Sequence, residues 1–206
     1  MAYETKAAER RGKLRDALVD AAELTIEREG LRGLRARDLA AGVGCAVGAI
    51  YNAVADLDEL VYAVNARTLA ALEKAVVADG AKAGSPNEAI AHLVRLALAY
   101  TDFAAANWLR WRAIFEHQPL PGRAMPDWYL ADQLRLFGYV EQPLHALVPD
   151  VTAERRLQLA RSVFSAVHGI VVLGLEEKLQ LLPLPVLREQ VTVMIEALGR
   201  GLRDAK

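Results

Sequence analysis

Two sets of side chains in this 206-residue chain have types and spacings suited to contact with another molecule. The first lies between Leu34 and Leu60, in LRARDLAAGVGCAVGAIYNAVADLDEL. Guanidinium groups at Arg35 and Arg37 can bind phosphate, Tyr51 can hydrogen-bond a phosphate oxygen, and Asn52 can pair with the edge of adenine. Val47, Gly48 and Ala49 offer a base only apolar contact, and their small size lets a nucleic-acid backbone come close. The second set is Tyr100, Trp111, Phe115, Phe137 and His168, aromatic walls with one titratable group, which is the usual make-up of a small-molecule site between helices. Phe103, Trp108, Trp128 and Tyr129 add to the same crowded region. Aromatics at helical spacing also serve as packed core, so the second set carries both readings.

Bond-making chemistry finds less support. His92, His117, His145 and His168 are far apart, with no His-x-x-x-His spacing or cysteine partner, so no metal site is expected. No Ser-His-Asp set, paired carboxylates or phosphate-cradling glycine loop stands out, so no catalytic residue and no cofactor is assigned. His168, set among Val167, Ile170 and Val171, is either a buried histidine with one hydrogen bond or a polar group lining a cavity. His117 falls at a helix end, where it favours the helix dipole. The single Cys45 rules out an internal disulfide framework, fits a reducing cytoplasm, and reads as a small packing residue before it reads as a redox thiol.

The elements that must position these groups are all helical. Leu39 and Val43 mark the apolar stripe of a helix from Arg37 to Gly42, Gly44 supplies a bend, and the period restarts from Val47 to Val54. Two short helices joined by a glycine turn are a helix-turn-helix, whose second helix is the one offered to a DNA major groove. Upstream, Leu14 to Gly30 carries a stripe through Leu18, Ala21, Ala22 and Ile26, with Asp16, Asp20, Glu23, Glu27 and Glu29 on a face expected to point away from DNA. Ahead of it, residues 4–15 hold Lys6, Arg10, Arg11, Lys13 and Arg15 against Glu4 and Glu9, a basic stretch that can neutralise phosphates or simply be a solvated helix end. The net charge of −1 excludes a broad basic surface.

After Leu60 the helical period runs to about Ala78, and Asp79 to Gly84 breaks it. Ser85-Pro86-Asn87-Glu88 is a capping box that opens a helix to about Ala106. Asn107 caps a short helix ending near His117, and the proline-rich stretch from Gln118 to Pro126 is a loop. A helix from Asp127 follows, which Gly138 and Pro143 are expected to bend or shorten. A long helix is expected from Thr152 to about Leu182, and a final one from Val186 to Arg203. No stretch alternates with period two, so the chain is expected to be all-α. The stretch MAYETKAAERRGKL lacks the apolar core of a signal peptide, so none is expected, and no run reaches the roughly 18 apolar residues of a membrane span.

Arg37-Asp38-Leu39-Ala40, Gly44, Gly48-Ala49-Ile50-Tyr51 and Asp58-Glu59-Leu60 fall in gapless register with TetR-type transcriptional regulators, which this chain resembles over about its first sixty residues. Trp111 and His168-Gly169 are similar to a TetR subgroup named for Trp, His and Gly. Arg35, Ala46, Leu57 and Val54 stand where that family usually has Thr, Ser, Lys and Phe. An alanine at the cap of the second helix forgoes about 0.5–2 kcal/mol of helix stability, and Leu57 cannot bind a phosphate.

The resemblance implies residues 1–60 as the helix-turn-helix DNA-binding domain and 61–206 as a helical ligand-binding and dimerisation domain. It further implies a cytoplasmic homodimer, joined through the last two helices, that binds a palindromic operator as a repressor and is released by an apolar small molecule. The alternative is a helical small-molecule-binding protein of the same fold with weak or lost DNA binding. An enzyme built on the aromatic pocket is the third reading, with no catalytic set behind it.

Overall fold

A computed structural model describes residues 2–77, 84–119, 122–176 and 182–204, with side chains from Lys6 onward. The helices are α1 (Ala2–Glu29), α2 (Ala36–Val43), α3 (Val47–Ala53), α4 (Leu57–Val77), α5 (Pro86–Ala106), α6 (Trp108–Glu116), α7 (Asp127–Leu147), α8 (Ala153–Leu175) and α9 (Leu184–Asp204), with a short 3-10 turn at Leu31–Gly33. No strand occurs among the described residues, so the protein is all-α. The chain packs as two compact units, one of Met1–Ala70 with Asn107–Tyr129, the other of Ala71–Ala106 with Leu130–Lys206.

The first unit forms around the apolar stripe of α1. Leu18, Val19, Ala22 and Ile26 recur at helical spacing and bury against Leu39 and Ala40 of α2, Ile50 of α3, Leu60 and Val64 of α4, and Ala113 of α6. The basic stretch belongs to the same 28-residue helix. Gly30 closes that helix at φ +69°, a positive-φ conformation that suits glycine.

In the second unit α5 lies against α9 and α8. Leu187, Val191, Ile195 and Gly199 form the buried stripe of α9, and a side chain at Gly199 would meet Ile90 at 2.7 Å, so this glycine is what lets the two helices approach. Ala160, Val163, Val167, Val171 and Gly174 form the buried stripe of α8.

The capping box of α5 differs in one partner from its usual form. Ser85 Oγ accepts from Glu88 N–H at 3.3 Å, but the Glu88 carboxylate accepts from Gly84 N–H at 2.7 Å. The break expected at Asp79 to Gly84 otherwise lies outside the described residues. α7 continues through both Gly138 and Pro143, with Pro143 buried inside it. Thr152 caps α8 by accepting from Arg155 N–H at 3.2 Å. That helix ends at Leu175, where Glu176 turns to extended geometry, short of the expected Leu182; residues 177–181 lie outside the described residues.

By length and composition alone, α5 and α8 are apolar enough to cross a membrane. Glu88, Arg95 and Asp102 in α5 and Glu154, Arg155, Arg156 and Arg161 in α8 interrupt the apolar run of each. A core helix of a soluble protein has the same make-up, and α5 buries Ala89, Ile90, Leu93, Leu96, Ala97, Tyr100 and Ala104 within its unit.

Candidate functional site

The bend between α2 and α3 is a left-handed glycine cap. Gly44 sits at φ +71°, its N–H donates to Ala41 O at 3.2 Å, and Cys45 N–H donates to Ala40 O at 2.9 Å. This pair of bonds is a Schellman motif, and it satisfies carbonyls that the end of α2 would otherwise leave open. Cys45, the residue after the glycine, is half-buried against the core of the unit, in keeping with a packing role.

Ala46 then occupies the cap position of α3 in extended geometry, with no side-chain bond to the helix. Ile50 is fully buried and fixes the inner face of α3. Val47, Gly48, Tyr51 and Asn52 are exposed and Ala49 is half-buried. Arg35, at the cap of α2, and Arg37, in its first turn, are exposed as well. All seven side chains therefore belong to one compact unit, and Ile50 holds the α3 members facing out. A Cβ added at Gly48 would meet no atom within 4 Å, so nothing in the fold itself demands a glycine there.

The Asp56 to Glu59 segment fixes how α4 leaves this motif. Asp56 Oδ1 accepts from Glu59 N–H at 2.9 Å, and Glu59 Oε2 accepts from Ala55 N–H at 2.9 Å, a cap on the first turn with the same displaced partner as that of α5. Glu59 Oε1 also accepts from Arg15 Nε at 3.0 Å, which ties α1 to the same turn. Sequence reading had Glu59 only as part of a family pattern.

The aromatic set divides between the two units. Trp111 and Phe115 lie on α6 in the first unit, where Trp111 is buried and stacks on Trp108 with ring centroids 5.4 Å apart, while Phe115 is exposed. Tyr100, Phe137 and His168 lie in the second unit and meet around Phe164. The Phe164 ring stacks on His168 at 5.4 Å and meets Tyr100 and Phe137 edge-on at 5.6 and 5.4 Å. Tyr100 Oη is 2.8 Å from His168 Nδ1, so His168 has the hydrogen bond expected of either of its readings. Burial pushes the His168 imidazole below its ordinary pKa, which favours the neutral ring. Phe164 was missed; its place in SVFSAVHG, four residues before His168, is the signal that could have found it.

Long-range polar contacts within the first unit were also missed. Glu23 of α1 accepts from Arg67 of α4 and Arg110 of α6, each at 2.7 Å, and Asp20 accepts from Arg67 at 2.7 Å, so part of the acidic face of α1 ties the unit together. Asn65 of α4 is fully buried and its Nδ2 donates to Ala113 O of α6 at 3.2 Å. His117 pairs with Asp58 at 3.0 Å and lies edge-on to Tyr62, contacts the helix-end reading did not include. Tyr62 Oη and Asn65 Oδ1 are buried without a hydrogen-bond partner among the described residues. No cluster of three or more metal-ligating side chains occurs among the described residues.

Comparison with known proteins bears on both units. The description of the tetracyclin repressor-like C-terminal domain matches residues 93–198. No curated protein matches the chain. Among solved structures, the chain is similar to a protein of unknown function from Rhodococcus sp. RHA1, with 26% identity, a TM-score of 0.69, and 93% of this chain and 96% of that one covered. It also shares its fold with SCO4313, provisionally named a regulatory protein, at 20% identity and a TM-score of 0.68, with 91% and 97% covered. With more than half of its length matched and a helix-turn-helix ahead of the match, the chain belongs to the tetracyclin repressor-like, or TetR, family of regulators.

Proposed function

We propose that this protein is a ligand-responsive, DNA-binding transcriptional regulator: a cytoplasmic homodimeric repressor that binds a palindromic operator and is released by an apolar small molecule. The observation that carries the reading is the outer face of the helix-turn-helix. Arg35, Arg37, Val47, Gly48, Tyr51 and Asn52 are exposed on one unit whose inner face is locked by Ile50. Phosphate contacts from the arginines and Tyr51 position α3, and Asn52 supplies base readout.

Association through α8 and α9 is supported by what those helices leave uncovered. Leu173 of α8 and Val193 of α9 are 58% and 59% exposed, and Leu184 and Val186 of α9 are exposed as well. Burying such residues against a second copy is the expected outcome for an isologous interface. A dimer then presents two copies of α3 to successive major grooves.

For the effector, the supporting observation in the first unit is that α6, which carries Trp111 and Phe115, and the residue that ends it are bonded to α1 and α4, which share a core with the helix-turn-helix. Arg110 pairs with Glu23 of α1, Ala113 O accepts from Asn65 of α4, and His117 pairs with Asp58 in the first turn of α4. A ligand that binds differently to two positions of α6 thereby acts on α1 and α4. Tyr100, Phe137 and His168 form the second group of proposed ligand contacts, an apolar cluster with one neutral polar edge.

The test is a titration of the protein with DNA fragments from around its own gene at several salt concentrations, repeated in the presence of hydrophobic compounds that alter its tryptophan fluorescence. Salt-dependent, fragment-selective binding that weakens with a bound compound is expected. If no fragment binds selectively while compounds do bind, the protein is instead a helical small-molecule-binding protein of the same fold, an outcome that the uncapped Ala46 favours.

A further inference from the structure

We infer that the first turns of α1 form a second DNA-binding element, in which Lys6, Arg10 and Arg11 grip the phosphodiester backbone beside the base that Asn52 reads. The basic stretch is not uniform in its contacts. Lys13 pairs with Glu9 at 3.0 Å, and Arg15 is held by Glu59 at 3.0 Å. Lys6, Arg10 and Arg11 are exposed and make no ion pair with a carboxylate among the described side chains, which begin at Lys6. These three, with Ala7 and Asn52, line a groove of about 540 Å³.

The groove therefore joins the amino-terminal end of α1 to the exposed face of α3. Lys6 and Arg10 stand one helical turn apart on the same face, and Arg11 is adjacent, so like charges repel unless an anion sits among them. A cation set suits phosphate, but a free ion would have no use for Asn52, whose amide reads base edges. A DNA strand satisfies both: its phosphate lies against α1 while its neighbouring base faces α3. The net charge of −1 makes this local set more telling, because the rest of the chain contributes no general attraction to DNA.

This inference rests on the DNA-binding reading, so the experiment separates the two. Full-length wild type, the triple variant Lys6→Ala/Arg10→Ala/Arg11→Ala and the single variant Asn52→Ala are titrated with the selected fragment and a scrambled one between about 50 and 200 mM salt, a range over which phosphate neutralisation dominates the change in affinity. The triple variant is expected to bind both fragments at least about tenfold more weakly at the upper salt, with the slope of log K against log salt smaller by about 0.9 for each phosphate it no longer neutralises. Its ratio between fragments stays unchanged. Asn52→Ala is expected to alter that ratio and leave the slope in place. Matched circular dichroism and melting curves guard against unfolding, and the charge-keeping variant Lys6→Arg/Arg10→Lys/Arg11→Lys retains the slope. A triple variant with wild-type affinity and slope overturns the inference while leaving the DNA reading intact. So does inorganic phosphate that raises the melting temperature of wild type and not of the triple variant, if the DNA slope is the same in both. Wild type that binds neither fragment overturns the inference and the reading beneath it together.

Discussion

At Gly48 the fold and the proposed partner make opposite demands. A methyl group there meets nothing within 4 Å in the free protein, and alanine is favoured over glycine in a helix by up to about 1 kcal/mol. Gly48→Ala is therefore expected to raise the melting temperature and to weaken DNA binding, because the added methyl would stand where the proposed DNA partner's backbone approaches. A melt and a DNA titration on the same sample check both halves; a variant that gains stability and keeps full affinity removes Gly48 from the interface. His168 makes a second residue-scale prediction. Its folded pKa is lowered by burial, so the unfolded chain takes up a proton that the folded chain refuses. The resulting stability is present above the unfolded pKa, near about 6.5, and falls as pH drops through that value toward the lower folded one. Urea melts at pH 7.5 and at pH 5 should show a loss that His168→Gln reduces; an equal loss in both proteins assigns the effect elsewhere.

The short helix α3 relies on its neighbours. It has one buried anchor, Ile50, and an uncapped start at Ala46, so tertiary packing and the glycine turn before it hold it in place. Ala46 already has the extended geometry of a cap, so a hydroxyl can be added without moving the chain. Ala46→Ser is expected to stabilise the protein by about 0.5–2 kcal/mol, measured by chemical denaturation, and to leave the slope of the transition unchanged. At this scale most of the structure was legible in the sequence, because period, proline, glycine and capping residues are local signals. They gave the turn at Gly44, the start of α5 at Pro86 and that of α7 at Asp127. Pro143 does not shorten α7: the proline costs the helix one hydrogen bond locally, and its burial inside the continuous helix, which offsets that cost, is not written in the linear order. Glu23, Asn65, Arg110 and Phe164 were not legible as functional positions. Their roles come from partners on other helices, and no periodicity encodes which distant turn a polar side chain will meet.

For the whole molecule, the apolar residues left exposed on α8 and α9 are the expected seat of association. Gly169 lies on α8 with open space around it, so a longer side chain there does not disturb the single chain. Gly169→Glu is expected to yield a folded monomer, since a carboxylate without a partner opposes burial in an interface. Light scattering at micromolar concentration, with circular dichroism alongside, reads the outcome; a variant that stays dimeric moves the interface elsewhere. Which aromatics form one cluster was not legible in the linear order. Tyr100 is close in sequence to Trp111 and far from His168, yet its hydrogen bond is to His168.

The segment Asn107–Tyr129 returns to the unit that holds the helix-turn-helix after the chain has made the whole of α5. Ala113 completes the same core as Leu18, Ile26 and Ile50, and Arg110 bonds to Glu23. A hybrid sensor made by grafting this DNA reader onto another ligand domain would treat it as a portable amino-terminal cassette. In this protein a graft of residues 1–60 leaves behind part of the reader's own interior. Transplants that also carry residues 107–129, or a host helix matched to Ala113 and Arg110, are the ones expected to read their operator.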